Sequence, residues 1–239
     1  MHIMLTGHRG FIGTELLKRL TKNHSVVGFD LVDGQDLLTV PLKEKFDLIL
    51  HLAGVAGLRE SFEDPKSHWY NNVEVMKRLL SIYGDNTRFI YASSSSAAEP
   101  ELNPYGASKF LMEIAAAKYT NTLGMRFCTV YSENPRKGMF LQKLIDGELT
   151  YVTNHYRDFI HIDDLCDAIE LLIESNYTDI VDIGTGDPVL VADLAPNYPL
   201  NLDTPGERAE TCADTLRMAQ LGFKPNYDIR EFIKTLPIK

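Results

Sequence analysis

Two groupings of residues in this 239-residue chain have types and spacings that could do chemistry. In "YGASK", Tyr105 and Lys109 lie four apart and share one face if the segment is helical. An ammonium beside a phenol favours the phenolate, which suits Tyr105 to the part of a general base. Just upstream, "FIYASSSS" is an apolar run ending in hydroxyls, and Ser94 could donate a hydrogen bond to an oxygen on which charge develops. The second grouping is the glycine series 7, 10 and 13 in "MHIMLTGHRGFIG", with Asp30 closing the next apolar run, "SVVGFD". Glycines so spaced between a strand and a helix let the backbone turn tightly and approach a pyrophosphate at the positive helix end near Phe11. An acid in the place of Asp30 can accept hydrogen bonds from adenosine ribose hydroxyls. Asp30 would repel a ribose 2'-phosphate and so favours NAD over NADP, whereas Arg9, inside the loop, could meet that phosphate and pulls the other way.

These residues need elements to hold them, and the pattern supplies them. Runs rich in Ile, Val and Leu ("HIML", "SVVGFD", "FDLILHLAG", "RFIYASSSS", "TLGMRFCTVY") alternate with the amphipathic stretches "FIGTELLKRLTK", "NNVEVMKRLLSIYG" and "YGASKFLMEIAAAKYT". Strands apolar throughout, alternating with helices, predict an α/β fold with a Rossmann-type, doubly wound parallel sheet covered on both faces. The stretch "LVDGQDLLTVPLKEK" after Asp30 is too short for a full helical crossover, so one connection is expected to be abbreviated. Beyond residue 130 the alternation breaks into turn-rich segments around the helix "HIDDLCDAIELLIES" and the strand "DIVDIGTG". The expected organisation is a cofactor-binding core at 1–128, with 156–185 returning to it, and a small, shortened substrate-binding part at 129–155 and 186–239.

Composition narrows the class. With 24 basic and 33 acidic side chains the net charge is −9, which argues against nucleic acid or a membrane surface as partner. The three cysteines suggest neither a disulfide framework nor a metal site. With no apolar stretch of 18 residues, neither a signal peptide nor a membrane span is expected, and the expected location is cytoplasmic. Cys128 reads as a small core residue and His51 as structural.

The motifs, taken together, resemble the extended short-chain dehydrogenase/reductases of the nucleotide-sugar epimerase and dehydratase family. "TGHRGFIG" is similar to that family's TGxxGxxG, "HLAGVAG" at 51–57 to its strand-four cofactor motif, "YGASK" to its YxxxK, and "RDFIHIDD" at 157–164 to its RxFxxxxD segment. The resemblance implies Tyr105 as base, Ser94 as hydroxyl partner, and Lys109 as a residue that also binds the nicotinamide ribose. It implies a cofactor site, for NAD, of Gly7, Arg9, Gly10, Phe11, Ile12, Gly13, Asp30, Asp36, Leu37, Leu52, Ala53, Gly54 and Asn72, together with Tyr105 and Lys109. Within the family, "HLAGVAGLRESFEDP" and "RFCTVYSENPRKGM" most resemble stretches of UDP-glucuronate 4-epimerases. Thr129 and Arg136 then fall where a hydroxyl and a guanidinium could meet a sugar carboxylate. Arg59, Ser94 and Ser95 are further substrate candidates, and Arg157 and Arg208 could neutralise a nucleotide diphosphate. A homodimer built through helices at 68–83 and 105–120 is the family-level expectation.

The expected function is a nucleotide-sugar epimerase acting by transient oxidation at the sugar 4-position. Two enzymatic alternatives stand beside it. An NADPH-dependent reductase is suggested by "GHRG" and the short "GQDLL" connection, though Asp30 opposes it. A 4,6-dehydratase would need an acid pair after the hydroxyl residue, where Ser95 and Ser96 stand. A cofactor-binding module without turnover is the alternative from another class.

Overall fold

Each apolar run that the pattern marks as a strand is extended in the fold, except that "TLGMRFCTVY" divides into two strands, Thr122–Phe127 and Thr129–Tyr131, in separate sheets. A computed structural model describes residues 1–237. The chain divides into two units, Met1–Arg126 with Ile173–Val181, and Phe127–Leu172 with the chain from Asp182 onward.

In the first unit lie β1 (His2–Thr6), β2 (Ser25–Phe29), β3 (Leu48–His51), β4 (Arg88–Ser94) and β5 (Thr122–Phe127). With the strand Asp179–Ile183 they make a six-stranded sheet in the order Asp179–Ile183, β5, β4, β3, β1, β2. β1 pairs in parallel with β2 and β3, and β3 with β4, so that Thr6 lies opposite both Phe29 and His51, and His51 opposite Tyr91. The carboxyl ends of these four strands therefore emerge on one edge, and strand order reverses beside β1. An open α/β sheet binds ligands at such a reversal.

The helices of this unit are α1 (Phe11–Leu20), α2 (Leu58–Glu63), α3 (Pro65–His68), α4 (Val75–Tyr83) and α5 (Pro104–Ala116), with one π-helical turn, Trp69–Glu74, leading into α4. Apolar residues at helical spacing on α4 (Val75, Met76, Leu79, Leu80, Tyr83) pack with Met4, Ile49, Phe89 and Met112 in one core. Burying each such large side chain contributes about 1.5–3 kcal/mol. The start of α5 is written in the sequence: Pro104 takes the first helical position and the Asn103 side chain accepts from Gly106 N–H at 2.7 Å.

The link from β2 to β3 holds a single 3₁₀ turn, Leu31–Asp33, as its length predicts. Its carbonyls would be left without helical partners, and a side chain from α4 serves instead. The Arg78 guanidinium donates to the carbonyls of Leu37 and Val40.

The second unit has its own core, in which Tyr131, Leu141, Leu144, Phe159, Val189 and Leu194 pack together. The strand Thr129–Tyr131 pairs in parallel with Phe159–His161, and Tyr156–Arg157 lies between Val189–Leu190 and Glu210–Thr211. The amphipathic run after "RDF" is the helix Ile162–Glu174. Asp158, fully buried, accepts from Thr185 N and Oγ1 on one oxygen and from Gly186 N and Ala213 N on the other. Cys128 is buried and its thiol is pushed up, away from thiolate, first by burial and then by Asp158, in keeping with a core role. Among the described residues no helix is long and apolar enough to cross a membrane.

Candidate active site

The glycine loop joins β1 to α1 with little steric room. Gly7 is left-handed (φ +72°), and a Cβ there would lie 2.7 Å from Ala53 N. A Cβ on Gly13 would lie 2.1 Å from Gly7 O, so the first turn of α1 can approach the loop only without a side chain. The helix starts at Phe11 after Gly10, with no side-chain cap and no acid in its first turn. Its first N–H groups, including those of Ile12 and Gly13, have no partner four residues back and present a positive end to an anion.

In front of this loop is a cavity of about 290 Å³. It is lined by Gly7, Arg9, Gly10, Asp30, Asp36, Leu37, Leu52, Ala53 and Gly54 among the expected cofactor residues, and also by Val32, Gln35, Val55 and Asn71. The bare glycine path, the open helix end and the acid at the tip of β2 suit a dinucleotide: pyrophosphate on the loop, ribose on the acid. Asp30 accepts from Val32 N (3.0 Å) and Arg9 N (3.0 Å), which fixes the carboxylate at the cleft. Asp36 turns inward on its own chain, accepting from Leu38 N at 2.8 Å. His51, fully buried, is tied by Nδ1 to Thr6 Oγ1 (2.7 Å) and pulled down to about 3, chiefly by burial, so it stays neutral and structural.

The second grouping gathers on α5 and the end of β4. Lys109 is 5% exposed, and its Nζ donates to Ala92 O at 2.9 Å. Gly106, one residue beyond Tyr105, lies so close to Ser96 that a Cβ would stand 2.6 Å from Ser96 O. These two contacts bracket Ser94 against the first turns of α5. Ser94 is buried, and its Oγ accepts from Ser96 N, which starts the turn Ser95–Ala98. Burial pulls the Lys109 ammonium down to about 8, against the opposing effect of Glu113.

Asn72, in the π-helical turn, is fully buried and joins three segments. Its Oδ1 accepts from Val55 N, while its Nδ2 donates to Val55 O and Ser108 Oγ; Ser108 Oγ in turn donates to Tyr105 O. A methyl on Gly54 would lie 2.7 Å from Asn72 Oδ1 and 3.5 Å from Lys109 Nζ, which brings the cofactor cleft and the YGASK helix to one place.

Two residues absent from the sequence reading, Glu113 and His68, belong to this neighbourhood. Glu113, one turn beyond Lys109, is buried, accepts from Ser93 Oγ at 2.6 Å and takes a bidentate pair from Arg126 (2.8 and 2.7 Å). His68 is buried with its ring edge-on to Tyr105, centroids 6.1 Å apart. Spacing could have exposed Glu113, since "YGASKFLME" repeats every four residues from Tyr105 through Lys109. Of the remaining expected residues in this unit, Arg59 is exposed on α2 and Ser95 opens the turn after Ser94.

The other four lie in the second unit. Thr129 begins its strand, and Arg136 is exposed in the loop after Tyr131. Arg157 is engaged within the fold: its guanidinium donates to the carbonyls of Tyr156 and Arg208 and to Glu207 Oε2, and Nη2 lies 3.0 Å from His155 Nδ1. Arg208, half-buried, is therefore held by its main chain.

Residues 3–184 match the NAD dependent epimerase/dehydratase family, and the chain belongs to it. A probable UDP-glucuronate 4-epimerase of Rhizobium meliloti (strain 1021) is 30% identical over 229 residues, covering 71% of this chain and 67% of the relative. Among solved structures, MoeE5 in complex with UDP-glucose and NAD superposes with a TM-score of 0.86 at 26% identity, over 99% of this chain and 97% of that one. The UDP-glucuronic acid 4-epimerase from Bacillus cereus, in complex with UDP-glucuronic acid and NAD, shares the fold with a TM-score of 0.88 at 24% identity, over 99% and 98%. The Rossmann-type sheet and the NAD cofactor expected from the sequence agree with this membership.

Proposed function

We propose that the protein is a nucleotide-sugar 4-epimerase acting on a UDP-uronate. The observation that carries this reading is the state of Lys109, a buried cation with three donors that meets one carbonyl acceptor among the described residues. A buried ammonium with unused donors, four residues along a helix from a tyrosine, stabilises a phenolate and can bind a ribose hydroxyl. Gly7, Gly10, Asp30, Ala53 and Gly54 hold the dinucleotide, and Phe11, Ile12 and Gly13 present backbone N–H groups to its pyrophosphate. Bound NAD would supply the acceptor and donor for the hydride of the sugar C4–H bond.

Tyr105 removes the proton from the 4-hydroxyl and gives it back to the 4-keto oxygen after the sugar has turned over. Ser94 donates a hydrogen bond to that oxygen, and Asn72 fixes the backbone of Tyr105 through Ser108. Arg136 and Thr129 take the uronate carboxylate, with Arg59 and Ser95 as further sugar contacts. Arg208 neutralises the diphosphate, and Arg157 serves by holding Arg208 in place. The choice of a uronate rests on the local likeness to UDP-glucuronate 4-epimerases, and the Rhizobium relative carries the name of a probable UDP-glucuronate 4-epimerase.

The test is incubation with UDP-glucuronate and a panel of other nucleotide sugars with trace NAD, following product by NMR and cofactor by absorbance. An isomeric uronate with no net reduced cofactor is expected. Stoichiometric use of NADPH would make the protein a reductase, loss of water a dehydratase, and bound NAD without turnover on any sugar a binding module.

A further inference from the structure

We infer that Asp33 determines which nicotinamide dinucleotide this cleft accepts, by holding Arg9 on its own carboxylate and so withholding it from an adenosine 2'-phosphate. The inference rests on the NAD reading of the cleft and adds a residue outside the glycine loop and the acid at the tip of β2. Arg9 is the cation among the side chains lining the cavity. A guanidinium in that position is the natural fork for a phosphate. Here the fork is occupied: Nε lies 3.2 and 3.1 Å from the two Asp33 oxygens, and Nη2 donates to Oδ1 at 3.1 Å.

Asp33 is itself fixed from two sides. It ends the 3₁₀ turn Leu31–Asp33, which the Asp30 side chain caps through Val32 N. On its inner side His8 Nε2 lies 3.0 Å from Oδ2, and the His8 ring, 8% exposed, covers Gly28 of β2, where a Cβ would stand 2.7 Å from Nδ1. The pairing with Arg9 also holds the Asp33 carboxyl below its usual range, so it remains an anion at neutral pH.

Beside the adenosine ribose site there are thus two carboxylates, Asp30 and Asp33, and one guanidinium already engaged. A dianionic 2'-phosphate placed there meets like charge and, among the described residues lining the cavity, no cation besides the engaged Arg9, whereas a 2'-hydroxyl meets an acceptor.

Calorimetric titration of the full chain with NAD and with NADP tests this, comparing wild type with Asp33→Asn, Asp33→Ser, and Asp33→Asn combined with Arg9→Ala. Both single variants are expected to move the ratio of the two Kd values toward NADP by about tenfold, and removing Arg9 should cancel the gain. An unchanged ratio in both folded single variants, or a gain that persists without Arg9, overturns the role of Asp33. Wild-type chain that binds NAD while the ratio stays fixed removes this inference alone, and wild-type chain that binds no NAD removes the cofactor reading and this inference with it.

Discussion

Two buried charges, one in each unit, are treated in opposite ways. Asp158, in the second unit, receives four hydrogen bonds, two on each oxygen, from Thr185, Gly186 and Ala213. Lys109, in the first, receives one carbonyl and keeps two donors without a protein acceptor among the described residues. A carboxylate satisfied on both oxygens is a structural joint, because each loop that donates to it is held by the others. A buried ammonium left short of acceptors carries a desolvation cost that its fold does not offset, and such a cost persists in active sites where a ligand completes the shell.

The contrast breaks if the two residues respond alike. The largest expected effect is on rate. Tyr105→Phe should lower kcat by about 10²–10⁴-fold in steady-state assays, with thermal unfolding unchanged. Lys109→Met should also lower kcat, by about 10²-fold, while its Tm stays equal or rises, since a buried unsatisfied cation has been replaced by an apolar side chain of similar length.

Asp158→Asn should do the reverse in kind. Turning one oxygen into an amide donor sets it against donors already in place, and denaturant titration should show a loss of about 3 kcal/mol. A Lys109→Met variant that unfolds like Asp158→Asn would erase the distinction.

The pH dependence sharpens it further. The Lys109 ammonium ionises near 8 when folded, below the 10.5 of an ordinary lysine. The neutral form is thus the one the fold favours, and the folded chain binds fewer protons than the unfolded chain between those values. Stability of wild type relative to Lys109→Met should therefore rise as pH increases from 8 toward 10.5, and kcat should fall with an alkaline limb near 8 as the charge beside Tyr105 is lost. An alkaline limb that survives in Lys109→Met would assign it to another group. The smallest expected effect is at the cap: Asn103→Ala should cost about 1 kcal/mol and lower Tm by a few degrees through the start of α5.

Much of this site is legible in the chain before folding, because its parts are local. "NPYGASK" carries its own cap, its own first-turn proline and a Tyr–Lys pair at one helical period, so the helix and its reactive face can be read together. "TGHRGFIG" likewise states where a strand ends and where a helix can begin only if side chains are absent. What escapes is whatever depends on register across distant segments. Glu113 meets Ser93 because α5 lies along β4, 20 residues away in the chain, and Asp33 meets Arg9 because the turn after β2 folds back over the loop after β1. The π-helical turn has no signature either. It widens the helix where Asn72 must reach both Val55 and Ser108, and tertiary hydrogen bonds, not propensity, sustain it.

Arg78 gives the abbreviated connection after β2 an unusual dependence. A helix in that position would carry its own ladder of bonds and could open and close as a separate element, whereas here the carbonyls of Leu37 and Val40 rely on one guanidinium anchored in α4. The lifetime of the cleft wall at Leu37 is then tied to the lifetime of α4. In hydrogen exchange the two would protect and release together, and a ligand resting on that wall would slow exchange in the turns of α4 beyond Val75, the residue by which that helix lines the cavity.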